Sequence, residues 1–467
     1  MSSRRRVLLS VLTGVISAAI AGAQGLDASR GVPPAAREAI SRAIGSDISI
    51  FQEAKLGSTA NASLGISVAI SGDTLVAGAP YAQPAAAYVF VKPASGWADT
   101  TTFAAKLTAS DGVTDDGFGS SVAILGDTVV VGATQFNIGS KGAAYVFVKP
   151  ASGWKSTSAF TAKLTASGGF NSDAFGSQVA ISANTIFVGA SDARVGANAG
   201  QGAVYVFEEP GTGWATTSTF TARLTVAGGH ADDELGSSLA VSGDTVVAGS
   251  PGFGSGFEAG YVFVEPVSGW ASTTAFDAKL TVPDSVGNVG FGQSVALSED
   301  TIVVGALYAR IGSNHEQGAA FVFEKPPSGW ESTSAFDAEL AASDGNSSDY
   351  FGASVALSGR IVAVGAPLNA GSSPFPGSAY VFVKPAGGWT TTSAFDAKLR
   401  ASDTVGADSF GGAIAISDGT LAVGASGAAP GGAVYLFGGL PSPCDPGRLC
   451  VAPVAFPPAE PVDPRTP

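Results

Sequence analysis

An all-β repeat fold is predicted by this sequence, on three observations. The 467-residue chain holds 63 Gly and 27 Phe but a single Met, and only 13% of its residues are charged. Helix-favouring residues are that scarce in neither a coiled coil nor an ordinary helical bundle. Apolar residues make up 45% and are spread along the chain, which excludes intrinsic disorder. Above all, one unit recurs seven times, and a repeat of that kind decides architecture before any local motif does.

Each unit opens on a pair: Leu64-Gly65, Phe118-Gly119, Phe175-Gly176, Leu235-Gly236, Phe291-Gly292, Phe351-Gly352 and Phe410-Gly411, spaced 54 to 60 residues apart. Thirteen residues after each glycine stands another: Gly78, Gly132, Gly189, Gly249, Gly305, Gly365 and Gly424. An apolar segment then ends at Phe90, Phe147, Phe207, Phe263, Phe323, Phe382 or Phe437. Seven residues beyond the first six of these come Trp97, Trp154, Trp214, Trp270, Trp330 and Trp389. Ten further on, a Phe-x-Ala-Lys/Arg/Glu-Leu motif ends at Leu107, Leu164, Leu224, Leu280, Leu340 and Leu399.

Four strands per unit follow. The first resembles Ser121–Ile124, and a two-residue turn such as Gly126-Asp127 suits the hairpin to the second, Thr128–Val131. That second strand is continuously apolar, the pattern of a strand buried on both faces. The third is like Ala144–Phe147 and the fourth like Phe160–Leu164. Four-stranded sheets covered on both faces by copies of themselves are the blades of a β-propeller. First, second and third strands occur seven times, but only six fourth strands follow third strands. Residues 48–56, Ile48 to Leu56, supply the missing one and complete the last blade, removing the open edge. The predicted organisation is a leader at 1–23, a linker at 24–46, a seven-bladed antiparallel propeller at 47–440 and a Pro-rich tail at 441–467.

The Phe-Gly pair, Gly-Ala-Pro (whole in Gly78-Ala79-Pro80 and Gly365-Ala366-Pro367) and Gly-Ala-x-Tyr-Val-Phe together resemble the FG-GAP repeat of integrin α-subunit propellers, closest to its secreted bacterial branch. The resemblance spans everything between leader and tail. It implies the propeller fold and a Ca²⁺ loop of D-x-D-x-D-G type between first and second strands. Here those hairpins hold at most two acids, as in Ser71-Gly72-Asp73 and Ser298-Glu299-Asp300, and Arg360 stands in one of them. Too few oxygen ligands remain for a hard cation, so no cofactor is expected and Ca²⁺ is not favoured.

A second acidic set lies between fourth strands and the next first strands. One position recurs in five of six such loops: Asp116, Asp173, Asp233, Asp349 and Asp408. A carboxylate that pins its own turn through backbone N–H groups accounts for it; Asp111, Asp115 and Asp116 are the weak metal candidates. The six Trp stand in identical Pro-x-x-Gly-Trp turns, which suits packing over the outer hairpin with the N–H near solvent. The alternative is stacking on sugars, as in propeller lectins of similar repeat type. His230 and His315 lie in different loops, without a Ser-His-Asp set, nucleophile elbow or phosphate loop. No catalytic residue is assigned, and an extracellular hydrolase is the weakest reading.

All length variation falls between second and third strands, where the separation from the Gly-Ala glycine to the third-strand Phe runs 12, 15, 18, 14, 18, 17 and 13. Variable loops on a rigid scaffold are where binding resides. Antiparallel order puts them on the same face as the acidic loops. Their candidate ligand-binding residues are Tyr81, Phe136, Arg194, Phe253, Phe257, Tyr308, Arg310, His315 and Phe375, since aromatics and Arg anchor interfaces. The expected function is an exported, non-enzymatic binding or adhesion module for a protein or surface ligand, with a carbohydrate-binding lectin as the alternative.

Arg4-Arg5-Arg6, the apolar Val7–Ile20 and Ala21-Gly22-Ala23 form a signal peptide with an A-x-A site, and Ser3–Leu8 loosely matches a twin-arginine signal. The destination is outside the cell, the periplasm or the cell surface, as a monomer with no membrane span. The first 23 residues carry three arginines and no acid, so their removal takes the net charge from -14 to -17. That charge excludes nucleic acid and anionic lipid as partners. Cys444 and Cys450, the two cysteines, are candidates for a small disulfide in the exported tail.

Overall fold

A computed structural model describes residues 50–58, 62–134, 141–252, 257–283, 289–368, 376–403 and 406–441. The leader, the linker, Ile48, Phe136, Phe253, Phe375, Cys444 and Cys450 lie outside the described residues.

Among the described residues, twenty-eight strands form seven antiparallel four-stranded sheets. Blade 1 runs Val68–Ser71, Thr74–Ala79, Ala86–Val91 and Ala105–Leu107, and blades 2 to 6 repeat this order. First strands touch first strands of both neighbouring blades right round the ring, so they line the axis and fourth strands form the rim. Blade 7 joins Phe410–Ser417, Thr420–Ala425 and Ala433–Gly438 to the N-terminal Phe51–Gly57. Leu56 pairs with Val434 and Phe51 with Gly438, across an irregularity between Gln52 and Ala54 that absorbs the one extra residue of this copy. The expected closure of the ring is therefore what the chain adopts.

Second strands such as Thr301–Ala306 are buried at every residue, as their continuous apolar sequence requires. Between blades the Phe of each Phe-Gly pair is fully enclosed. Phe351 lies 5.4 Å from the Tyr380 ring and 6.0 Å, edge-on, from Phe382. Pairs of that geometry add about 0.5–1.5 kcal/mol to the area they bury.

The invariant thirteen-residue offset has a direct cause. Gly352 N–H donates to Gly365 O at 2.9 Å within blade 6, with Gly352 at φ +91°. The Gly352 carbonyl presses on Gly305 of blade 5 and accepts Ser294 Oγ at 2.8 Å. A Cβ on Gly305 would fall far inside contact distance of both. The same arrangement joins Gly132 to Gly176 with Ser121, and Gly249 to Gly292 with Ser238. The offset is thus the spacing of a hydrogen-bonded glycine pair within one blade, each member of which meets a neighbouring blade.

Two features differ from expectation. Fourth strands of blades 1 to 6 are three residues, as in Ala162–Leu164, not five. The residue after the Phe ends the backbone ladder by offering a side-chain oxygen to the third strand: Val148 N–H donates to Thr161 Oγ1 at 3.0 Å, and Val264 N–H to Asp277 Oδ2 at 2.7 Å. The rim is also not bare. Thr157 of blade 2 pairs with the fourth strand of blade 1, its N–H donating to Lys106 O at 3.0 Å while Thr108 N–H donates to Thr157 O at 3.1 Å. Thr100, Thr217, Thr273, Thr333 and Thr392 repeat this, so the turn after each Trp covers an otherwise open edge.

Candidate functional site

Loops between second and third strands do share a face with the loops between blades, and they are tied together. Asn198 Nδ2 donates to Gly229 O at 2.7 Å and Gln201 Nε2 to Val226 O at 2.8 Å. In blade 5, Asn314 and Gln317 make the same bonds to Gly345 O and Ala342 O. This explains why Ala193-Arg194-Val195-Gly196-x-Asn198 recurs as Ala309-Arg310-Ile311-Gly312-x-Asn314: the pattern locks a long loop onto the next inter-blade loop. Arg194 and Arg310 are exposed, but each turns back on its own loop, to Ala197 O and Gly312 O. Tyr308 packs edge-on against Tyr350 at 5.7 Å, and the exposed His315 is fixed through its backbone N–H to Ser347 Oγ. These four candidates lie on the expected face, with much of their bonding capacity turned inward.

The recurring aspartates are buried turn-pins. Asp173 Oδ2 accepts Phe170 N–H at 2.7 Å, Asp233 Oδ2 accepts His230 N–H at 2.6 Å, and Asp349 Oδ2 accepts Asn346 N–H at 2.7 Å. Burial pushes the Asp173 and Asp233 carboxyls up against those bonds. Burial, then the charges of Asp173 and Asp232, also raises Asp192; burial, then Asp192 and Asp232, raises Glu234. Asp111, Asp115 and Asp116 do three different things. Asp116 accepts Val113 and Phe118 N–H groups, Asp115 stands exposed at φ +63°, and Asp111 is engaged by Lys163 Nζ at 2.6 Å and Tyr145 OH at 3.0 Å. Burial raises Asp111, but the hydrogen bond and charge of Lys163, with the Tyr145 hydroxyl, outweigh it and hold the carboxyl below the usual range. Among the described residues no group of three or more His, Cys, Asp or Glu is placed to hold a metal ion.

The tryptophans are wedged between blades rather than laid over an outer hairpin. Trp270 of blade 4 meets Phe187 of blade 3 edge-on at 5.4 Å, and Trp214, Trp270, Trp330 and Trp389 are each no more than 8% exposed. The expectation of an N–H near solvent is corrected. The Nε1 atoms of Trp97, Trp154, Trp330 and Trp389 are buried without a partner, because the ring is drawn in by the apolar contact of two blades. An orphaned donor costs about 1–3 kcal/mol, a penalty the large ring burial offsets.

The three most exposed described aromatic rings all belong to this face: Tyr81 at 65%, Phe170 at 58% and Phe257 at 42%. Phe257 stacks on His230 at 3.7 Å with the rings 9° from parallel. Next in sequence to Tyr81, a cleft of about 210 Å³ opens between blades 1 and 2, walled by Pro80, Pro84, Val113 and Thr114 with Asp115 at its margin. Phe170 was legible only as part of an acidic loop. Nothing in that loop's repeat marks it, since Val113, His230 and Asn346 fill the same place.

The model of one family, described as FG-GAP repeat, matches residues 52–90, 101–147, 159–207, 275–323, 335–382 and 394–437, more than half of the chain. No match was found among curated proteins. Among solved structures, the WD40 β-propeller domain of Doa1 is similar at 9% identity and a TM-score of 0.51, over 85% of this chain and 99% of that one. The computationally designed Ika8 protein matches at 15% identity and a TM-score of 0.45, over 83% of this chain and 100% of that one. These likenesses concern the fold alone.

Proposed function

We propose, from the premise that the chain belongs to the FG-GAP repeat family, that it is an exported, non-enzymatic module that recognises a protein ligand. Recognition would occur on the face of the variable loops. The single observation that carries this is the exposure of Tyr81, Phe170 and Phe257 on one face, with Phe170 in a turn pinned by Asp173 and Phe257 stacked on His230. Large rings held in place lose little entropy on binding and anchor interfaces. A sugar-binding role would need other rings than the Trp turns, because those are buried between blades.

The test places a photo-crosslinking amino acid at Tyr81, Phe170 or Phe257, and in controls at Leu125 and Val267 on the opposite face, in the full chain expressed in its own setting. A discrete protein adduct from the first three positions and none from the controls supports the reading. Adducts of equal yield from both faces, or saturable binding on a glycan array that survives Tyr81→Ala and Phe257→Ala, would overturn it.

A further inference from the structure

Blades 2, 6 and 7 repeat one polar clamp. A third-strand tyrosine and the fourth-strand lysine paired with it close round an aspartate from the loop leading into the blade. Tyr145, Tyr380 and Tyr435 donate to Asp111, Asp344 and Asp403 at 3.0, 3.0 and 2.8 Å. Lys163, Lys398 and Lys55 reach the other oxygen at 2.6, 2.7 and 2.7 Å. Each ammonium lies over its tyrosine ring, at 5.2, 4.8 and 5.4 Å. The bound carboxylates are 43%, 45% and 41% exposed, so the clamp opens at the surface.

Blade 4 has the donors without the acid. Tyr261 pairs with Lys279 in the same register, and Lys279 Nζ lies 5.6 Å over the ring. The aspartate of the other blades stands four residues after the preceding fourth-strand leucine, as in Leu107 and Asp111; four after Leu224 stands Gly228. A Cβ on Gly228 would meet nothing within 4 Å. The loop has the same length, with Asp233 pinning His230 N–H as Asp116 pins Val113 N–H, but Gly228 sits at φ +75°, a left-handed backbone that Asp111, Asp344 and Asp403 do not adopt. Neither Tyr261 OH nor Lys279 Nζ has a hydrogen-bond or ion-pair partner among the described residues. Burial, with the charge of Asp233, pushes the Tyr261 phenol up to about 12, so it keeps its proton to donate.

Other blades close the same place differently. Blade 3 also has a glycine, Gly168, but Arg223 turns Nη2 onto Arg194 O at 2.9 Å and bonds the Tyr205 hydroxyl. Ser58 bonds Tyr88 in blade 1, and blade 5 carries Phe321 and Glu339 instead. Repulsion from Asp233 does not argue against an anion here. Its counterparts Asp116, Asp349 and Asp408 face the filled clamps of blades 2, 6 and 7 in the same way.

We propose that Tyr261 and Lys279 form a carboxylate-binding site, which takes an acidic side chain or chain terminus of the protein ligand where the other blades take their own aspartate. His230, two residues after Gly228, and Phe257, four before Tyr261, stack on each other and offer a flat surface for the rest of that residue. The site deepens the protein-recognition reading above and rests on it for the source of the carboxylate. Its test needs no partner, so the two fail separately.

The full chain, ¹⁵N-labelled and deuterated, is titrated at constant ionic strength with N-acetylaspartate N′-methylamide, its asparagine counterpart, and acetate, following backbone amide shifts. Saturable shifts at Gly228 to His230 and at Tyr261 are expected with the aspartate probe, at roughly millimolar concentrations. Lys279→Met should weaken binding about tenfold or more. Tyr261→Phe, which removes one oxygen, repeats the test should the lysine variant misfold. Weaker binding of acetate supports a peptide carboxylate; equal binding of acetate overturns that source in favour of free small carboxylates. No saturable shift with either acid, equal shifts with the asparagine probe, or wild-type affinity in a folded Lys279→Met would overturn the site itself.

Discussion

Replacing Gly305 by alanine tests whether blades are joined by the glycine contact. The added methyl would drive into the Gly352 carbonyl of the next blade and into Ser294 Oγ, which holds that carbonyl at 2.8 Å. Neither obstacle is the free end of a flexible chain. One is backbone, fixed by Gly352 N–H on Gly365 O, and the other is a buried hydroxyl. Overpacking of this kind costs about 1–3 kcal/mol, and loosening the Ser294 bond adds about 1 kcal/mol. The lower entropy of the unfolded alanine chain returns roughly 0.4–1 kcal/mol. A net loss of about 2–3 kcal/mol follows. With an unfolding entropy of about 2.1 cal/mol/K per residue over a propeller of roughly 390 residues, the melting temperature should fall by about 2–4 °C. Gly211→Ala is the control, since nothing lies within 4 Å of a Cβ there and its backbone needs no left-handed conformation. Both variants are melted beside wild type by circular dichroism, at several scan rates to expose irreversibility. If Gly305→Ala melts within 1 °C of Gly211→Ala, the thirteen-residue offset has some other cause.

Deleting residues 50–57 removes the buried Ala54 and Leu56 and leaves blade 7 with an open edge along Ala433–Gly438; lower melting temperature and self-association are expected, and a monomer with wild-type melting by light scattering would contradict ring closure. Stability should rise as pH is lowered from 7 toward about 4. Asp173, Asp192, Asp233 and Glu234 have raised folded values, so their contribution is complete below about 4 and is lost as pH rises through those values. On the acid side, Asp111, Asp344 and Asp403 are held low, so their contribution disappears as pH falls below about 4. Tyr145, Tyr380 and Tyr435 are pushed up, mainly by burial and then by those aspartates, so stability should also fall above about pH 10. A melting temperature that declines steadily from pH 7 to 5 would contradict this assignment. EDTA should shift melting by no more than about 1 °C, and millimolar Ca²⁺ should act only as an equal ionic strength of NaCl does; a rise of many degrees specific to Ca²⁺ would mean that the loop acids gather a cation.

What was legible in the sequence is what the repeat enforces seven times over. Gly305 and its six counterparts sit where any side chain would collide with the next blade, so the offset had to be invariant, and an invariant offset can be read. The Phe of each Phe-Gly pair is fixed for the same reason, by two rings of its own blade. The candidate site was less legible because recognition depends on what differs between copies. Arg194 and Arg310, candidates because Arg anchors interfaces, stand in a pattern that two loops share, and that pattern performs a structural task, the fastening of one loop to another. Phe170 went unmarked because it follows no pattern, yet it is among the most exposed rings. The acids divided along the same line: those at the recurring place pin turns, while Asp111 is defined by partners in two other strands that no local motif announces. In a propeller of this kind periodicity therefore marks packing, and the residues most open to a ligand are exceptions to it. Gly228 is such an exception, a missing aspartate beside two donors that kept their places.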